Sequence, residues 1–318
     1  MTAPPLVLES AELRVTVDPL IGGTITAIAH KRLGASILGS VPWTPVRAPL
    51  DPASVTEEPI WLTRYTGGWP LLFPNGGDAC RFEGAFHGFH GEASITSWES
   101  QQDGASLRLS CRFQTVPVEM HRLLSVAGES LTISERLTML GDRAIRVMWG
   151  HHPTFGGDLL AGPFEIGTNA RRAQADNRYD PASNPLRPGA EGSWPFLEGK
   201  SGPFDLSHPC GTIAAGGCLK DFPAEAWASI HRLDGSVAAR LSWDAEYFPH
   251  AWLWIELGGT SEPPWLGRGH VIGLEPNTTW PANGLAEAAR CGGSLLVLAP
   301  GAEIETRLQL DVFKPDRA

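Results

Sequence analysis

The sequence predicts a mostly β protein, a large antiparallel β-sandwich, on three observations. Apolar and polar residues alternate with period two from end to end, helical periodicity is scarce, and 36 glycines and 27 prolines in 318 residues interrupt the chain too often for long helices. An antiparallel chain of this length either closes a barrel or packs two broad sheets face to face. Connections rich in Gly and Pro suit the sandwich, with long loops over one face.

The strands can be taken in order. Leu13, Val15 and Val17 alternate with Arg14 and Thr16; Leu107, Leu109, Cys111 and Phe113 alternate with Arg108, Ser110 and Arg112. Leu131, Ile133, Leu137 and Met139 do the same against Thr132, Ser134, Arg136 and Thr138. Each pattern is that of a strand buried on one face. Ala144 to Met148 reads as a strand ending just before two histidines. Trp252 and Trp254 alternate with Leu253 and Ile255, so that strand is apolar on both faces and central in its sheet. Val271 to Leu274 runs into Glu275, and Ile304, Leu308, Leu310 and Val312 close the chain in the same rhythm. Three stretches read as loops: Gly39 to Pro59, Gly67 to Gly91 and Gly162 to Gly211, each longer than the connections usual in a compact domain. No repeat or sharp boundary divides the chain, which is expected to form one domain over residues 1–318.

The formal net charge of −10 argues against nucleic acid or an anionic membrane as partner and suits a neutral or cationic small molecule. Met1 to Val15 lacks a basic start followed by a long apolar run, and no later stretch approaches the roughly 20 apolar residues that span a bilayer. Five scattered cysteines without a Cys-x-x-Cys pair indicate neither a disulfide framework nor a zinc knuckle. The expectation is a soluble cytoplasmic protein without metal or cofactor; a homo-oligomer is allowed. Twelve tryptophans against three tyrosines supply core filler, and also flat faces suited to the C–H surface of a sugar.

Three motifs place acid-base groups among glycines, prolines and aromatics. The first is Phe89-His90-Gly91-Glu92, with Trp98 eight residues beyond the histidine; it follows Phe73-Pro74-Asn75-Gly76-Gly77-Asp78. Gly76 and Gly77 permit positive φ while Pro74, like Pro70 before it, fixes its own φ at a negative value, so Asn75 sits on a tightly bent backbone. Asn75 is then either part of a rigid turn or a donor and acceptor for a polyhydroxylated ligand. His87 and His90 are three apart, but Gly88 and Gly91 oppose a helix and a third metal ligand is missing. The second motif, His151-His152-Pro153-Thr154-Phe155, lies just past a strand end on stiff backbone. Alternation turns one histidine toward a pocket, and Pro153 favours His152. In the third, Leu274-Glu275-Pro276, a carboxylate ends an apolar strand. It is either ion-paired, with Arg268 as a candidate, or held as a base with its pKa raised by desolvation. Two imidazoles and one carboxylate in a single cleft suffice for general acid-base chemistry.

Together, in this order, the motifs resemble those of the aldose 1-epimerase (galactose mutarotase-like) family over about Leu6 to Phe313. His90-Gly91 with Trp98 resembles its first signature, His152-Pro153-Thr154-Phe155 its His-Pro-Tyr-Phe element, and Leu274-Glu275-Pro276 its late Glu-Pro element. The resemblance implies a β-sandwich of the galactose mutarotase type, binding a monosaccharide across a concave face. It also implies a metal-independent mechanism: Glu275 the base on the anomeric hydroxyl, His152 the acid on the ring oxygen, His90 orienting the sugar. The family's arginine after Phe-Pro-Asn is replaced by Gly76, so that contact is either missing or supplied by Arg81. For its substrate-binding Asp, Asp221 and Asp244 are the candidates. Asn75, Arg81, Trp98, Asp244 and Trp254 complete the expected substrate contacts. A carbohydrate-binding or sensory protein on the same fold is the alternative. A sugar-phosphate epimerase ranks last, because the motif regions offer mainly Arg81 and Arg268 to a dianion.

Overall fold

In the computed structural model, which describes residues 4–52, 54 and 56–315, the alternating segments pair into two broad antiparallel sheets packed face to face. The two ends of the expected domain, Met1–Ala3 and Asp316–Ala318, lie outside the described residues. One sheet, here called the outer sheet, has eight strands in the order Phe164–Thr168, Glu225–Arg232, Ala238–Asp244, Glu303–Phe313, Ser130–Met139, Val118–Ala127, Ser106–Arg112, Glu99–Asp103. Ser130–Met139 lies between Val118–Ala127 and Glu303–Phe313, with Leu131 opposite Leu310 and Ile133 opposite Leu308. Those leucines and isoleucines all face inward, so the alternation read from the sequence is what lets one face bury and the other carry charge.

The second, inner sheet runs Glu191–Ser193, Arg172–Ala175, Ile213–Lys220, His250–Leu257, His270–Asn277, Gly150–His151, Leu71–Leu72, with Thr154–Phe155 paired beside His270–Asn277. Its central strands are buried on both faces. Leu253, Ile255, Ile272 and Leu274 join the core between the sheets, while Trp252, Trp254, Gly273 and Glu275 face the other way. A four-stranded sheet, Leu6–Glu9, Leu13–Asp18, Thr24–His30 and Ala35–Ser36, packs its own apolar face into the same core. All five cysteines are free, and no helix among the described residues is long and apolar enough to cross a membrane.

The stretch Gly162 to Gly211, expected to be a loop, instead carries five strands: Phe164–Thr168, Arg172–Ala175, Glu191–Ser193, Phe196–Gly199 and Gly202–Asp205. Each is only three to five residues long. Too few positions exist in each for alternation to show, and their sheet partners supply the order. Gly39 to Pro59, expected as a loop, is largely irregular over its described residues, and the irregular run continues to residue 66 with one short helix, Glu58–Leu62. The ends of the stretch 41–66 are brought together by the Ser40–Gly67 bridge and by Val41 N–H donating to the Thr66 carbonyl, so it forms a closed flap. The flap lies over the unpartnered face of the inner sheet.

Candidate active site

Alternation separates the two adjacent histidines as expected. His151 turns toward the outer sheet, where its Nε2 donates to Glu135 at 3.1 Å while its Nδ1 accepts from the Trp69 indole at 3.2 Å. Glu135 also accepts from Arg122 Nε at 2.7 Å, and all three side chains are fully buried. Burial alone would raise the Glu135 carboxyl, but His151 and Arg122 together hold it down at about 2. This network ties the sheets together directly behind the strand that presents the next residue.

His152 points to the opposite face. Its backbone N–H donates to the Pro70 carbonyl, and Nδ1 lies 3.3 Å from Glu275 Oε1. Both residues are almost wholly enclosed, at 6% and 3% exposure. Glu275 reaches this position because its neighbour two residues back is glycine: a Cβ on Gly273 would stand 2.2 Å from Glu275 Oε1. The contact has the geometry of an ion pair, yet burial pushes the Glu275 carboxyl well above the usual range and holds His152 down at about 4. Both shifts disfavour charge, so burial favours the uncharged pair, carboxylic acid beside neutral imidazole, over the ion pair. Arg268, the rival partner for Glu275, is exposed elsewhere.

His90 completes the group, its ring 5.4 Å from that of His152 and edge-on to it. It adopts φ +57°, a left-handed conformation that a β-carbon resists. The turn expected at Phe73-Pro74-Asn75 supplies the restraint: Gly77 N–H donates to His90 Nδ1 at 2.9 Å, and His90 N–H returns a bond to the Gly77 carbonyl. Nδ1 is therefore an acceptor and the hydrogen sits on Nε2. Burial, with His152 nearby, keeps the His90 imidazole neutral, its pKa well below the usual value.

The other expected contacts divide. Trp254 belongs to the group, its ring 5.7 Å from His152. Asn75 does not offer itself to a ligand: its Nδ2 donates to the Asp78 and Gly88 carbonyls and its Oδ1 accepts from Leu285 N–H. Both amide hydrogens are consumed in fixing the loop that carries His90. Trp98 is a core residue between the sheets, donating to the Ala93 carbonyl and packed against Phe113 and Arg122. Asp244 ends a strand of the outer sheet, where it accepts from Glu246 N–H in a turn, and so stands on the wrong sheet. Asp221 is likewise exposed, just past the Ile213–Lys220 strand end. Arg81 points outward from the hairpin strand Cys80–Phe82, whose two other side chains are half-buried.

Residues from the flap were not foreseen. Trp61 is stacked 4.6 Å from Tyr65, sits edge-on to His90 at 4.7 Å, and lies parallel to His152 at 6.4 Å. Trp43 packs on Trp265, which in turn packs on Trp254. Trp43 falls in a stretch read as a loop, but Trp61 and Tyr65 lie between two such stretches and carried no sequence signal. Tyr179, within hydrogen-bonding reach of Thr260 and Trp254, extends the aromatic wall toward a set of carboxylates. Among these, burial and the neighbouring Asp78 raise the Glu58 carboxyl. Burial raises that of Asp78, against the pull of Arg178 at 3.3 Å, with Asp176 adding to the rise. No group of three or more His, Cys, Asp or Glu placed to hold a metal ion forms among the described residues.

This arrangement defines a class: the chain has the galactose mutarotase-like fold, with an acid-base pair on the flap-covered face of its inner sheet. The Slr1438 protein of Synechocystis sp. PCC 6803 superimposes with a TM-score of 0.69 at 19% identity, covering 99% of this chain and 97% of that one. A candidate aldose 1-epimerase of Escherichia coli K12 gives 0.69 at 15% identity, covering 98% and 99%. A galactose mutarotase-like protein of Lactobacillus casei ATCC 334 gives 0.67 at 15%, covering 98% and 100%. At these identities the likeness is one of fold. No protein-family model matches the chain, and a search of curated proteins gives no match.

Proposed function

We propose that this protein is an aldose 1-epimerase-like isomerase that interconverts the anomers of a monosaccharide in the cytoplasm. The observation that carries the proposal is the buried His152–Glu275 contact of 3.3 Å beside a tautomerically locked His90. In the reactive arrangement the shared proton lies on His152 and Glu275 is a carboxylate, one proton transfer across that contact from the uncharged form. Glu275 then takes the proton of the anomeric hydroxyl as His152 gives its own to the ring oxygen, and the C1–O5 bond breaks to an open-chain aldehyde. Rotation about C1–C2 and reclosure from the other face return both protons and invert the anomer. His90 Nε2–H, which donates to no other group among the described residues, can donate to a sugar oxygen, and Trp254 offers a face to the ring's C–H surface.

The carboxylates Glu58, Asp78 and Asp176, with Arg178 already paired to Asp78, suit a neutral sugar and oppose a phosphate dianion. NMR exchange spectroscopy of anomer interconversion tests the proposal over neutral aldoses, amino sugars, uronates and sugar phosphates. Acceleration for at least one neutral aldose is expected. Binding of sugars without acceleration would replace this reading with that of a carbohydrate-binding protein.

A further inference from the structure

Thr154 stands in sequence where the His-Pro-Tyr-Phe element has its tyrosine, and the hydroxyl of a flap tyrosine lies against the threonine's own. Tyr65 Oη lies 2.5 Å from Thr154 Oγ1, both buried. Thr154 Oγ1 in turn lies 3.4 Å from His152 Nδ1 and 3.4 Å from the His152 carbonyl oxygen. The backbone of Thr154 is clamped by the roots of the flap, its carbonyl accepting from Gly39 N–H and its N–H donating to the Gly68 carbonyl. Hydroxyl, flap root and strand therefore form one unit against the imidazole.

We propose that Thr154, held by Tyr65, is a positioning residue that directs the proton of neutral His152 to Nε2, the nitrogen turned away from Glu275. The argument is one of hydrogen-bond accounting. A buried phenol needs an acceptor, and Thr154 Oγ1 is the one at hand, so Tyr65 donates. Burial keeps the Tyr65 phenol protonated, so it donates throughout. The single hydrogen of Thr154 is then left for His152. When the imidazole is neutral that hydrogen goes to Nδ1, which makes Nδ1 an acceptor and leaves the ring hydrogen on Nε2. When Nδ1 is protonated, the Thr154 hydrogen turns to the His152 carbonyl at the same distance, and Oγ1 becomes an acceptor facing Nδ1–H. One hydroxyl thus serves both protonation states without movement of heavy atoms. Without it, only Glu275 remains beside Nδ1, and the Nδ1–H tautomer, facing a Glu275 oxygen, can compete with Nε2–H.

This inference rests on reading His152 as the proton donor to the sugar, but its first test does not need turnover. Two-bond 15N–1H spectra of histidine-labelled protein report the tautomer of His152, assigned by its loss in His152→Gln. Wild type and Thr154→Ser are expected to show the Nε2–H form. Thr154→Val, of nearly the same shape, should gain an Nδ1–H population, and Tyr65→Phe a smaller one. An unchanged Nε2–H pattern in Thr154→Val, with its circular dichroism and melting temperature close to wild type, would overturn the proposal. So would an Nδ1–H pattern in the wild type. If the wild type accelerates anomer exchange, Thr154→Val should lower kcat at least about tenfold, within the range expected when a general acid is misaligned. KM should stay within about twofold, and Thr154→Ser should restore kcat. Equal kcat in Thr154→Val and wild type would sink the positioning role while leaving the isomerase reading intact. Absence of acceleration in the wild type would sink that reading while the tautomer spectra still decide this one.

Discussion

Replacing Glu135 by Gln should destabilise the protein by about 3 kcal/mol at pH 7, and the structure gives that magnitude by two routes. Its carboxyl is held at about 2 in the fold against an ordinary 4.5, a difference of about 2.5 pH units, or about 3 kcal/mol at 1.36 kcal/mol per unit. Independently, removing one member of a buried ion pair leaves an uncompensated charge, here Arg122, at a cost of about 3–5 kcal/mol. Because the folded-state value is depressed, the contribution is complete above pH 4.5 and is lost as the pH falls toward 2. The gap between wild type and Glu135→Gln should therefore shrink by about half at pH 3. Urea unfolding of both proteins at pH 7 and pH 3 measures it, since other titrating carboxylates are common to the two. A gap under 1 kcal/mol at pH 7, or one that is the same at both pH values, would refute the reasoning.

Further expectations follow from the geometry of the site. Gly273→Ala should push the Glu275 carboxylate away from His152, lowering kcat at least about tenfold while changing the melting temperature little, because the atom displaced is the end of a side chain. Trp61→Ala opens the cover over His152 and should raise that residue's pKa from about 4 toward the ordinary 6.5, read by NMR titration; no rise would mean that burial by the flap is not its cause. Trp98→Phe should cost about 1–3 kcal/mol through its lost bond to the Ala93 carbonyl and lost packing, with KM unchanged; a raised KM would restore Trp98 to the substrate contacts.

Strands such as Ser106–Arg112 and Ser130–Met139 were legible because they bury a single face over seven or more residues, and alternation over that length has few other causes. The same signal failed from Gly162 to Gly211, where strands of three to five residues depend on neighbours distant in sequence. That His90, His152 and Glu275 come together was readable for a related reason. Each sits beside a glycine or proline at a strand end or turn, where the backbone is fixed locally. Asn75 and Trp98 were misassigned because residue type alone does not reveal which hydrogen bonds the fold will consume. Asn75 spends its amide on Asp78, Gly88 and Leu285, and Trp98 donates to Ala93 deep in the core. The flap was the least visible part. Trp61 and Tyr65 meet His90 and His152 only once Ser40 and Gly67 have closed the loop over the inner sheet.

The measurement closest to the central claim is the anomer exchange rate of the accelerated sugar with wild type, Glu275→Gln and His152→Gln, each at saturating sugar and across pH 4 to 9. A one-proton pair predicts a bell-shaped wild-type profile and a fall of about 10²-fold or more in either variant with sugar binding retained. A flat wild-type profile, or a variant that keeps the wild-type rate, would contradict the assignment of His152 and Glu275 as the acid and base.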